Sequence, residues 1–340
     1  MHGETDPGER IAGLRLERIR FQAMGCPCCL RVYTATRREA AAVADAAVAE
    51  VRRLEAKYSR YRDDSLTSRI RRSAGAAEGI DVDAETAGLL DYAETCFVHS
   101  GGLFDLTAGV LRRAWDFRSG RLPSSGAVAA LLERVGWQRV EWRAPRLRLP
   151  VAGMELDFGG CVKEYAADRV AELCRSLGVR HGLVDLGGDL AVVGPHPEGA
   201  RGGRAWHVGV RDPRRPDRAF AWVALGDGGL ATSGDYERFM EVDGRRYGHV
   251  LDPRSGWPVD GVRSVTVAAP HCLVAGSAAT IALLRGAEDG PRWLDELGLP
   301  SLRVEADGRV SGGLGTPIRG AAAAGDGWAA CARRSAATAA

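Results

Sequence analysis

The sequence predicts a mixed α+β protein in which antiparallel sheets are flanked by helices, and three observations carry that expectation. Helical periodicity with capping signals recurs between residues 37 and 177. Short period-two runs separated by Pro, Gly and Asp turns dominate the second half. Polar, glycine-rich stations interrupt the otherwise apolar elements. The pattern is compatible with this class but does not by itself choose a topology.

Composition bounds the rest. A chain of 340 residues with 45% hydrophobic and 26% charged content can bury an ordinary core, which excludes disorder, collagen and a small disulfide scaffold. At roughly 150 residues per domain the length corresponds to two units or one large two-lobed domain. Lys plus Arg at 46 against Asp plus Glu at 44 gives a net charge of +2, so no nucleic-acid partner is expected. No run approaches the roughly 18 to 20 apolar residues of a membrane span. The start, MHGETDPGERIAGLRLERIR, lacks an apolar export core, and a cytoplasmic location is expected. Cys26, Cys28 and Cys29 form a CPCC run without a second pair at metal spacing, readable as incidental thiols or as a weak zinc or redox signal. Cys161, Cys174 and Cys272 sit in apolar text, as small hydrophobes do.

In chain order, Thr36-Arg-Arg-Glu39 is a capping box, and Val43, Ala47, Val51, Leu54 and Tyr58 follow at helical spacing, predicting a helix over 37–57. Asp83 caps a second helix carrying Leu89, Leu90, Ala93, Cys96 and Phe97, which stops at Gly101 and Gly102. Ser124 or Ser125 opens a short third. Between 137 and 157, WQRVEW, RLRLP and MELDF read as short antiparallel strands. A helix over 163–177 carries Ala166, Val170, Leu173 and Leu177 and closes on Gly178, and GLVDLGGDLAVVG reads as two strands around a glycine pair. AWHVGV, AFAWVAL, RYGHVLD and SVTVAAP supply further strands, 274–284 and 291–297 two late helices, and the text beyond Arg319 a low-complexity tail.

The stations are GGLFDLT at 101–107, DFGGCVKEYAAD at 157–168, DLGGD at 185–189, and ATSGDY with GHVLDPRSG between 231 and 256. In the second, Gly159 and Gly160 precede a helix whose free amides, with Lys163, suit an anionic group. It matches neither the dinucleotide fingerprint nor the Walker loop, and is also readable as a tight turn with a solvated lysine. Thr232, Ser233, Asp235 and Tyr236 offer hydrogen-bonding groups, and His249 before Leu251-Asp252-Pro253 is the candidate base.

As an ordered set, AMG at 23–25, YSRYRDDSLTSRI at 58–70, SGGLFDLTAGVL, ELDFGGCVKEYAADRVAEL, LVDLGGDLAVVG and LATSGDYERF through AGSAAT at 275–280 resemble the ApbE family of FAD:protein FMN transferases. The resemblance implies a tunnelling-fold-like, two-lobed domain over 20–318 with FAD between the lobes, an extension at 1–19 and a tail at 319–340. It implies magnesium-dependent transfer of FMN from FAD to a threonine hydroxyl of an acceptor protein, with release of AMP. Carried over by motif, Met24 and Tyr61 contact the flavin, Leu103, Phe104 and Asp105 line the nucleotide, Asp157, Lys163 and Val250 bind FAD, and His249 faces the incoming hydroxyl. Magnesium falls on the carbonyls of Gly160 and Ala279 and on Thr280.

Departures from the family's pattern qualify this. The family's metal-binding aspartate is replaced by Gly276, although magnesium generally keeps a carboxylate. Glu164, where the family text has glycine, is either a compensating carboxylate or a surface glutamate favoured by the helix dipole. Cys26 replaces a threonine, and no export signal or lipoprotein cysteine is visible, which implies an intracellular acceptor or another export route. Hydrolysis of FAD to FMN and AMP, and FAD binding without turnover, are the competing readings. DGGLAT at 227–232 imitates an acceptor motif but coincides with a structural station.

Overall fold

In a computed structural model, residues 10–11, 13–197, 205–212, 215–235 and 238–317 are described. Thr36 accepts from the Glu39 amide at 3.2 Å while the Glu39 carboxylate accepts from the Ala35 amide at 3.1 Å, so the capping box starts α1 (Arg37–Tyr58) where the sequence sets it. A short α2 (Leu66–Arg72), capped by Ser65, has no counterpart in the sequence reading. Asp83 caps α3 (Ala84–His99) and Ser124 caps α4 (Ser125–Leu132). After α5 (Val162–Ser176), the two late helices form α6 (Cys272–Glu296), broken where Gly286 adopts a φ of 83°.

Nine strands form one wholly antiparallel sheet in the order Arg10–Ile11, Leu14–Ala23, Cys26–Thr34, Gly182–Leu186, Asp189–Gly194, Gly229–Gly234, Val262–Ala269, Ser301–Glu305 and Val310–Gly312. Cys26–Thr34 runs through the CPCC segment and pairs with Leu14–Ala23, and neither strand has a counterpart in the sequence reading. The strand Leu14–Ala23 also begins inside the stretch expected as an N-terminal extension. Helices α1, α5 and α6 cover one face, where Leu30, Val32, Val184, Leu186, Ala191 and Val267 meet Val43, Val51, Val170 and Ile281. The alternate side chains, Tyr33, Leu183, Leu190, Val192 and Leu230, pack on a second sheet built from Trp206–Asp212, Arg215–Leu225 and Thr316–Pro317. Both faces are therefore buried, and the central strands read as continuous apolar runs. The arrangement is the expected mixture of helix and antiparallel sheet, and among the described residues no barrel closes.

One expected strand is absent. MELDF, at 154–158, is buried coil leading into the 3₁₀ turn Phe158–Gly160. Met154, Glu155 and Leu156 are consecutively buried rather than alternating, the Asp157 amide bonds to the Leu106 carbonyl at 2.9 Å, and Glu155 pairs with Arg112 and Arg113. A segment surrounded on all sides satisfies its polar groups by loop and side-chain partners instead of a ladder. The tail from 318 onward and Tyr236 lie outside the described residues. Among the described residues no helix is long and apolar enough to cross a membrane.

Candidate active site

Three of the four stations come together where the N-terminus of α5 meets the hairpin end of the sheet, with Lys163 paired to Asp189 and Phe104 beside Gly160. Gly182–Leu186 and Asp189–Gly194 are joined by Gly187 and Gly188, whose φ values of 69° and 98° are the left-handed pair of a tight hairpin. Gly187 also has no room for a side chain, since a Cβ there would stand 2.7 Å from the Cys26 sulfur and 3.8 Å from Lys163 Nζ. The Lys163 ammonium thus lies beneath the glycine turn, 2.7 Å from Asp189 Oδ2. Burial alone would discharge Lys163, but Asp189 and Glu164 beside it hold its pKa above the ordinary lysine range. Lys163 is thus half-buried and ion-paired rather than free in solvent.

Met24 and Gly25 form the tip of the neighbouring hairpin, both with positive φ, and the Met24 amide donates to Glu55 Oε1 at 2.6 Å. The hairpin therefore places Cys26 near Lys163, with Met24 at its tip. Cys26 and Cys28 stand 3.9 Å apart, sulfur to sulfur. The Cys28 thiol lowers the pKa of Cys26 against its burial, with Lys163 assisting, and Cys28 itself is held high. Among the described residues no three of His, Cys, Asp and Glu stand together as a metal site, so CPCC has no zinc partner set there.

Asp157 accepts from the Gly159 amide at 2.9 Å and pairs with Arg60. Arg60 in turn donates to the Tyr61 hydroxyl at 2.9 Å and lies over its ring, lowering the phenol pKa. Tyr61 is otherwise 77% exposed, an aromatic face open to a partner. Gly160 is exposed, with Phe104 Cζ 3.9 Å from where its Cβ would be. Leu103 and Phe104 are buried. Asp105 differs from the lining role: its carboxylate accepts from the Thr107 amide and hydroxyl and the Trp137 amide at 2.7, 2.6 and 3.0 Å, and burial raises its pKa. It holds the loop that sets Phe104 against Gly160.

Helices α5 and α6 are locked antiparallel by Asp168, whose two oxygens accept from the Cys272 and Leu273 amides, each at 2.9 Å. One turn back on α5, Glu164 meets Gly276 one turn on along α6. A Cβ on Gly276 would lie 2.5 Å from Glu164 Cγ and 2.8 Å from its Oε1, so the glutamate fills the space the missing side chain leaves. Glu164 is only 8% exposed, which overturns the surface alternative. Its Oε2 is buried without a hydrogen-bond partner, and burial, with Asp189 nearby, pushes its pKa up to about 7. A further turn along, Thr280 Oγ1 lies 2.6 Å from Ser233 Oγ. Ala279 is fully buried beside it. These donors are hard oxygens, which suits magnesium rather than a soft metal.

His249 is exposed and follows Gly248, which lies against the Asp235 side chain just beyond the strand bearing Ser233. Asp235 is fixed by Arg263 at 2.6 Å. Val250 packs on the main core, its carbonyl accepting from Val259 at 3.1 Å. The imidazole is thus carried on a loop braced from the sheet. Asp189, Arg60 and Asp168 received no role from sequence reasoning, although DLGGD and KEYAAD were singled out as stations.

The ApbE family model matches residues 24–302. The chain belongs to the ApbE family. It is 33% identical over 312 residues to the FAD:protein FMN transferase of Treponema pallidum (strain Nichols), spanning 86% of this chain and 85% of that protein. A relative of the same name from Rhodobacter capsulatus is 32% identical over 247 residues, and the chain covers 45% of that longer protein. The fold superposes on the ApbE protein of Thermotoga maritima with a TM-score of 0.78 at 29% identity, covering 87% of this chain and 96% of that one. It superposes equally, at 0.78 and 28% identity, on the apo form of the Pseudomonas stutzeri flavinyl transferase ApbE, with coverage of 89% and 96%.

Proposed function

We propose that this ApbE-family chain is an FAD:protein FMN transferase that moves FMN from FAD to a threonine hydroxyl of an acceptor protein and releases AMP. The observation that carries the reading is the charged Lys163 held beneath the Gly187 turn at the N-terminus of α5, a cradle for a diphosphate. In the step, the acceptor oxygen attacks the phosphorus of the FMN half, the diphosphate P–O bond breaks, and AMP departs. His249 takes the hydroxyl proton. Lys163 holds the oxygens as charge develops. Met24 and Tyr61 take the flavin, with Leu103, Phe104, Asp105, Asp157 and Val250 shaping the pocket. Magnesium, when bound through Thr280 and the Gly160 and Ala279 carbonyls, would neutralise diphosphate charge.

Incubating the protein with FAD, magnesium and a threonine-containing acceptor tests this. AMP that appears only with the acceptor, together with an acceptor mass increased by FMN, is the expected result. AMP without acceptor would replace transfer with hydrolysis, and bound intact FAD under every condition would replace it with carriage. His249→Ala should retain FAD binding and lose transfer by about 100-fold or more.

A further inference from the structure

Resting on the flavin-transferase reading, we infer that Glu164 supplies the carboxylate of the divalent-cation site, so that the ligand has moved from α6 to α5 in this chain. The register of the two helices places it there. Asp168 binds the amides that open α6, and Glu164 and Gly276 are each one turn from that contact. Continuing the antiparallel register by one more turn carries Thr280 toward the Phe158–Gly160 turn, on which α6 packs. Glu164, Thr280 and the Gly160 carbonyl therefore gather along one seam between the helices.

The Glu164 side chain stands where a side chain on residue 276 would stand. A Cβ there would meet Glu164 Cγ at 2.5 Å and Cδ at 2.9 Å, so an aspartate at 276 would displace the glutamate from its present position. Among the described residues, Glu164 Oε2 is buried without a hydrogen-bond partner, and the ammonium of the neighbouring Lys163 is already paired with Asp189 at 2.7 Å. A buried carboxylate oxygen with no donor is costly unless something positive completes it. A hard cation bridging to substrate phosphates does so with oxygen ligands alone.

The test is Mn²⁺ titration of FAD-loaded protein by electron paramagnetic resonance, with Mg²⁺ as competitor, beside a separate FAD titration without metal. Glu164→Gln keeps the packing against Gly276 and should weaken Mn²⁺ binding by about 10- to 100-fold while metal-free FAD affinity holds. Glu164→Gly combined with Gly276→Asp returns the carboxylate to α6 and should restore Mn²⁺ binding to near the wild-type value. Equal Mn²⁺ affinity in Glu164→Gln and wild type overturns the inference, as does wild-type protein that binds FAD but no Mn²⁺. Should Glu164→Gln not fold, failure of the double variant to bind Mn²⁺ overturns it. Wild type that binds no FAD would instead sink the transferase reading.

Discussion

Replacing Lys163 by Met separates its structural from its binding role. The Lys163–Asp189 pair is 2.7 Å long, with side chains 27% and 5% exposed. At that separation the attraction is about 6 kcal/mol gross at an effective dielectric constant of about 20, before desolvation is subtracted. Removing one partner of a buried pair leaves the other charge uncompensated and costs about 3 kcal/mol here, the lower end of the usual range because Lys163 is partly solvated. Glu164 repels Asp189 and adds to the cost. Adding Asp189→Asn removes the stranded charge, so the double variant should recover at least half of the lost stability in urea unfolding. Neither variant should recover FAD affinity, measured by flavin fluorescence, because the phosphate loses a charge-assisted bond worth about 10- to 100-fold. A single variant destabilised by less than about 1 kcal/mol, with the double no more stable, would mean a solvent-screened surface pair and refute the buried cradle.

Glu85 ties α1 to α3, accepting from Arg53 and Lys57 at 2.6 and 2.7 Å and from the Tyr165 hydroxyl of α5 at 3.2 Å. Arg53 holds its pKa down to about 2, so its contribution is present above its ordinary value of 4.5 and lost as pH falls from there toward 2. After discounting for solvent, Glu85→Gln should cost about 1 kcal/mol at neutral pH and flatten acid unfolding in that window, as followed by circular dichroism. Gly187→Ala should lower stability by about 1 to 3 kcal/mol, since its Cβ would collide with Cys26 and its φ is left-handed. A melting temperature equal to wild type would show that the two hairpin ends are not in contact.

What was legible before the structure was local or ordered along the chain. Thr36, Asp83 and Ser124 each cap their helix through a bond spanning three residues, and those helices stand where the sequence sets them. The stations around Lys163 and Gly187 were visible as interruptions in apolar text, and Gly276 as a departure from the family's motif. Less legible were buried segments without periodicity: MELDF carries apolar content that resembles alternation, and the strand through CPCC, Cys26–Thr34, carries no clear period-two signal.

The sequence by itself determined the helix starts, the glycine turns and the family to which the motifs belong, because these depend on neighbours within a few residues or on linear order. Only the tertiary structure decided that Lys163 is paired with Asp189, that the Asp105 carboxylate binds the Thr107 and Trp137 amides, and that the Glu164 side chain packs against Gly276. Those outcomes depend on the α5–α6 register and on the sheet bringing distant hairpin ends together. Whether a charged side chain is solvated or buried follows from what packs over it, and a linear pattern does not contain that information.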